Sequence, residues 1–124
     1  MKKTFCIFCF VITSFCYSQT EDKYPWKYVG QFEDNVDILI KPIDLQKDEM
    51  WVKLVVKSSK DYNGGITVFR TVIHCDKFTY DLGESYTFNS EGEQLTKDES
   101  TSSNNAVKLG SFMEIAFKFY CQHR

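Results

Sequence analysis

The residues of this 124-residue chain best suited to covalent or metal chemistry are its five cysteines and two histidines. Cys6, Cys9 and Cys16 crowd the N-terminus, while Cys75 and Cys121 stand 46 residues apart in the C-terminal half. A zinc site needs three or four ligands, and only His74 and His123 are available to join the later pair. His74 and Cys75 are adjacent, so on a strand their side chains point to opposite faces and do not easily share a metal. A catalytic cysteine needs a histidine and an orienting third group placed by the fold, and an exported cysteine with an available partner is normally oxidised. Paired carboxylates can do acid–base work when their environments push their pKa values apart. Asp34 with Asp37, and Asp48 with Glu49, are such pairs, but they fall in turns, where solvated carboxylates are the default. Asp61-Tyr62-Asn63-Gly64-Gly65 loosely resembles a calcium loop, yet it lacks the regular oxygen spacing and the closing glutamate and reads as a plain turn. There is no nucleophile elbow, no glycine-rich phosphate loop and no pair of zinc-spaced histidines. The expectation is a non-enzyme with no catalytic, cofactor-binding or metal residues.

The first residues read as an address. Met1-Lys2-Lys3 is a short positive start, and Thr4 to Cys16 is an uncharged, almost wholly apolar run. Its length suits a secretory signal and falls short of the roughly 20 apolar residues that span a membrane. Cys16-Tyr17-Ser18 places small residues three and one before a cut between Ser18 and Gln19, so residues 1–18 are expected to be a signal peptide. Bacterial lipoproteins are instead cut before a cysteine that follows a small residue. Phe15 precedes Cys16 and Phe8 precedes Cys9, so a lipid anchor on Cys16 is the disfavoured alternative.

Cleavage would leave 106 of the 124 residues, with Lys2 and Lys3 gone from fifteen basic residues against seventeen acidic ones. The odd cysteine count becomes a single pair, Cys75 and Cys121, which an oxidising compartment favours joining. Chain-entropy reasoning assigns a bridge across such a loop about 4 kcal/mol.

Composition bounds the rest. The chain is 43% hydrophobic, 16% aromatic and 26% charged, too ordered a mixture for a disordered tail. It is too short for a doubly wound nucleotide-binding fold or an eight-unit strand–helix barrel. A formal net charge of −2 offers no basic face for nucleic acid.

The elements that must position these residues are mostly strands. Trp26–Gly30, Asn35–Ile40 and Met50–Lys57 read as three, with Pro42 limiting the pairing of Ile43-Asp44-Leu45. The longest runs from Ile66 to Cys75, with Phe69, Thr71, Ile73 and Cys75 on one face and Ile66, Val68, Arg70, Val72 and His74 on the other. Phe78, Tyr80 and Leu82 are expected to point inward, Tyr86 and Phe88 to continue that pattern, and Asn89–Gly92 to turn. Glu93–Asn105, acidic and rich in Ser, Thr and Asn, reads as a long mobile loop. The period then changes from two to 3.6: Ser111-Phe112-Met113-Glu114 matches a capping box, and Phe112, Ile115, Ala116 and Phe119 form one helix face, widened by Phe117 and Tyr120, with Glu114, Lys118 and Gln122 on the wet side. The fold class predicted is α+β: a small antiparallel sheet of about six strands, one C-terminal helix packed on it, one disulfide.

These features together resemble the surface-adhesin protein E-like domain of exported bacterial proteins. The matching pattern is Trp26 to Val29, then Val36-Asp37, then Trp51 to Val56, then Thr71-Val72-Ile73-His74-Cys75. It ends with Val107-Lys108-Leu109-Gly110-Ser111 leading into a helix that closes on Cys121. The likeness covers most of residues 24–122, within a single domain expected over residues 19–124. Leu109 stands where the family often has proline. The resemblance implies the same sheet-and-helix scaffold, and its best-known member is a surface lipoprotein that binds host matrix proteins and plasminogen and can dimerise. It carries over the scaffold cysteines and no binding residues.

The function expected is therefore an exported, non-enzymatic binding module that engages protein partners at the periplasm, cell surface or outside the cell, with a homodimer as an implied option and no membrane span. It requires an exposed apolar or aromatic patch away from the helix-covered face, for which Trp51, Val68 and Arg70 are candidates. The alternatives are a lysozyme-type hydrolase inhibitor acting through Glu91–Asn105, and an envelope structural protein.

Overall fold

Strict alternation along Gly65–His74 buries Phe69, Thr71 and Ile73 and leaves Val68, Arg70 and Val72 part-exposed on the other face. A computed structural model describes residues 24–57 and 64–123. The expected signal peptide at residues 1–18 and most of the Asp61–Gly65 turn lie outside them.

Among the described residues, seven strands form one antiparallel sheet. They are β1 (Lys27–Phe32), β2 (Val36–Asp44), β3 (Glu49–Val56), β4 (Gly65–His74), β5 (Thr79–Asn89), β6 (Gln94–Asp98) and β7 (Ser102–Ala106). A single 3₁₀ turn, Glu33–Asn35, joins β1 to β2, and the helix α1 (Phe112–His123) closes the chain. The order runs β1 to β6 by sequence, with β7 also pairing β5. Ladder partners share a face. Ile38 and Ile40, Met50 and Val52, Phe69, Thr71 and Ile73, with Tyr80 and Leu82, therefore make one inner surface. Met113, Ala116, Phe117 and Tyr120 of α1 complete this core, chiefly across β1 and β2. The predicted class and the Cys75–Cys121 disulfide are both present.

Several expectations are corrected. Glu93–Asn105 is not a loop: it supplies β6 and β7, which lie end to end along the two halves of β5. Nearly all their residues are exposed, so no apolar alternation advertises them. Backbone pairing and Asn105 Nδ2, which donates to Tyr80 O at 3.2 Å, hold them instead.

Phe78 does not belong to a strand. It occupies the β4–β5 turn at φ 55°, 39% exposed, with its ring against Phe117 at 4.9 Å. Nor do Tyr86 and Phe88 continue the inward pattern. The register with β4 slips between the Phe69–Ser85 and Thr71–Leu82 pairs, so Tyr86 pairs with Val68 and Phe88 with Ile66 on the outer face.

The buried face of the helix is centred toward Met113, Phe117 and Tyr120 rather than on the Phe112–Phe119 line of the expected stripe, with Ala116 buried as expected. Phe112, Ile115 and Phe119 are only half-buried, whereas Met113, Phe117 and Tyr120 are buried. A helix apolar on most sides has no single face by periodicity. The bridge from Cys121 and the Tyr120 hydroxyl bond to Asp48 at 2.6 Å give it one. The cap forms with a shift: Ser111 Oγ accepts from Glu114 N at 3.3 Å, but Glu114 Oε1 reaches back to the Gly110 N–H. Pairing across Pro42 does persist to Asp44, with a bulge at Ile43. β1 begins opposite Ile40, so this stretch is an edge on that side, where proline is tolerated.

Candidate functional site

The face of the sheet turned away from α1 carries an aromatic and basic groove of about 390 Å³. Register assembles it. Lys41, Trp51 and Arg70 form one cross-strand row over β2–β4, and Lys53, Val68, Tyr86 and Lys97 form the adjacent row over β3–β6. Trp26, just before β1, folds onto the same face: the Lys53 ammonium lies 4.3 Å from its ring centroid and that of Lys41 6.0 Å. The Trp51 and Tyr86 rings approach to 6.1 Å at a 54° tilt, and Lys97 stands 5.7 Å from Tyr86.

One end of this face is tightly positioned. Arg70 donates to Glu49 at 2.9 Å and to Glu84 at 3.1 Å. Glu84 also accepts the Tyr86 hydroxyl at 2.8 Å, which pushes the Tyr86 phenol above its ordinary value of 10.0. At this end one guanidinium is therefore shared by two carboxylates. At the Trp26 end, Lys53 makes no ion pair with a described residue and rests on an indole face. Such a surface offers aromatic platforms and ammonium groups, which together take carboxylates and apolar side chains.

The other sequence candidates are scattered. His74 Nε2 meets Asp81 Oδ2 at 3.1 Å on the outer face of β4 and β5. His123 stacks on Phe119 at the end of α1, its Nδ1–H donating to the Phe119 carbonyl. Asp48 and Glu49 part company, Asp48 accepting from Tyr120 and Glu49 from Arg70. Asp37 pairs with Lys57 at 3.4 Å. Among the described residues no group of three or more His, Cys, Asp or Glu is placed to hold a metal. No described helix is long and apolar enough to cross a membrane.

The structure thus brings Trp51, Val68 and Arg70 together and adds Trp26, Lys41, Lys53 and Tyr86, which sequence reading missed. Trp51 and Lys53 share strand parity, a signal available in the sequence. The contributions of Lys41 and Tyr86 depend on cross-strand register, which is not. The chain matches no protein-family model, no curated protein and no solved structure.

Proposed function

We propose that this protein is an exported, non-enzymatic binding module of the surface-adhesin protein E type, and that its helix-free sheet face engages a protein partner at the cell envelope. The observation that carries this reading is the cluster of Trp26, Trp51 and Tyr86 with Lys41, Lys53 and Lys97 on the face turned away from α1, in a chain whose net charge is −2. Tryptophan and tyrosine dominate the energetics of protein interfaces because they bury large areas at low entropic cost. Lysines around them in an acidic chain select a partner surface bearing carboxylates, since complementary potentials favour encounter and reject like charge. The Cys75–Cys121 bridge is compatible with an exported protein.

In the segment Glu91–Asn105, which the inhibitor alternative would send into a cleft, β6 and β7 are paired to β5. Protease treatment of intact cells carrying an epitope-tagged protein, with a periplasmic control, tests the adhesin reading. Loss of the tag while the control survives supports surface display. Survival of both until the outer membrane is opened removes the adhesin role.

A further inference from the structure

β1 is the outermost strand of the sheet: among the described residues it pairs with β2 on one side and with no strand on the other. Its free side presents backbone N–H and C=O groups, the template on which a further strand adds. The other edges of the sheet suit such an addition poorly. The stretch of β2 past Ile40 carries Pro42, which has no N–H to give. β6 and β7 are exposed along nearly their whole length, and only Leu95 and Ala106 in them are apolar, so a strand added there would cover little apolar surface.

Beside β1 the surroundings differ, because α1 runs antiparallel along it. Phe32 meets Phe112 with ring centroids 6.2 Å apart, Gly30 meets Ile115, and Lys27 Nζ lies 5.8 Å from the Phe119 centroid. Phe112, Ile115 and Phe119 are half-buried, although their neighbours Met113, Ala116, Phe117 and Tyr120 are buried. The opposite flank of α1 is occupied: Phe117 packs on Phe78 at 4.9 Å, and Cys121 is bridged to Cys75. Lys118 turns instead to Glu114, at 3.7 Å. The apolar surface that stays open thus lies along the free edge of β1. An open backbone ladder and an apolar helix flank beside it are the two walls of a strand-addition groove. The ladder asks for an extended backbone. The flank asks for apolar side chains at alternate positions, since every second residue of an added strand faces the helix. The bulge at Val29 bends the edge and keeps the paired stretch short.

We propose that the groove between β1 and α1 takes a short extended segment of a partner protein, apolar at alternate positions, as an added strand. The site is separate from the Trp51 face, because none of the residues lining that face's groove belongs to β1 or α1.

Hydrogen exchange of the disulfide-bonded protein tests this, with a labelled octapeptide alternating valine and threonine as the probe. The controls are a peptide of the same composition with its valines in one block, and the alternating peptide N-methylated throughout. The alternating peptide should bind saturably and slow exchange at amides within Lys27–Phe32, leaving β6 unchanged. The N-methylated peptide should bind about tenfold more weakly, the worth of one or two net hydrogen bonds, and the blocked peptide should also weaken. Ile115→Ala, which trims the helix wall and leaves the β1 ladder, should weaken the alternating peptide while circular dichroism stays unaltered. Absence of saturable binding overturns the proposal. So does protection that falls on β6 or on the Trp51 face, or equal binding of the N-methylated peptide. Free-side amides of β1 already protected in the peptide-free monomer would assign the edge to another segment of this chain. A dimer in which β1 exchange slows with concentration would assign it to a second copy. Either result equally overturns it.

Discussion

The Tyr120 hydroxyl donates to the Asp48 carboxylate at 2.6 Å, joining the last turn of α1 to the β2–β3 turn across 72 residues of sequence. Asp48 sits at φ 54°, a left-handed conformation that aspartate and asparagine tolerate better than other non-glycine residues. Its carbonyl also accepts the Ile73 N–H at 2.9 Å, so one residue ties turn, strand and helix together. Tyr120→Phe is expected to lose about 1.5–3 kcal/mol, the usual worth of a hydrogen bond to a charged group. Asp48→Asn, which keeps an acceptor and the backbone tolerance, should lose less than Asp48→Ala. Urea denaturation of the three variants checks the order.

How much of this was legible in the sequence depends on what kind of signal each element carried. β4 could be read residue by residue, because Phe69, Thr71 and Ile73 alternate cleanly with part-exposed neighbours. The cysteine pair followed from counting. β6 and β7 left no trace, since strands with both faces wet show no hydrophobic period. The helix was legible as a helix, but its rotation was set by two long-range ties rather than by its own pattern. The candidate face was half visible for the same reason. Trp51, Val68 and Arg70 lie on strands with clear parity, whereas Tyr86 joins them only because a bulge near Gly83 reverses the facing of β5.

That same economy of packing makes Gly30 sensitive. A Cβ at Gly30 would lie 2.8 Å from Ile115 Cγ2, so β1 and α1 touch through a missing side chain. Ile115 is β-branched and stiff at χ1, and it has little room to yield. Gly30→Ala should destabilise by about 1–3 kcal/mol through overpacking. Adding Ile115→Ala should recover part of that loss, so the double variant falls short of the sum of the single changes in thermal or chemical unfolding.

Acid stability should report on Asp81. The Asn104 backbone N–H at 2.8 Å, then the His74 side chain and the charge of Lys77, hold its carboxyl below the ordinary 3.8 against the raising effect of burial. A carboxylate with a lowered folded pKa contributes stability that is present above its unfolded value and lost as pH falls through the folded one. Stability should therefore decline below about pH 4. Asp81→Asn should be less stable at neutral pH and decline less steeply in that acid window. Asp98, lowered by the Ser100 side chain and backbone N–H, acts with the same sign. Denaturation series across pH compare the slopes.

The disulfide closes a 46-residue separation and holds α1 to the end of β4. The Cys75→Ala, Cys121→Ala double variant should lose about 4 kcal/mol, since the cross-link restricts the unfolded chain. Equilibrium unfolding of the oxidised protein and the variant measures this directly. An unchanged midpoint would remove the bridge from the stability account.

The face bearing Trp26, Trp51 and Tyr86 is the proposed docking site for a protein partner. It is tested most directly by photo-cross-linking in intact cells, with a benzophenone side chain placed at Gln94 on that face or at exposed Lys118 on the helix. A discrete protein adduct is expected from Gln94, lost on adding Lys53→Glu or Trp51→Ala, and none from Lys118. An adduct from Lys118 alone, or one from Gln94 indifferent to both substitutions, would contradict it.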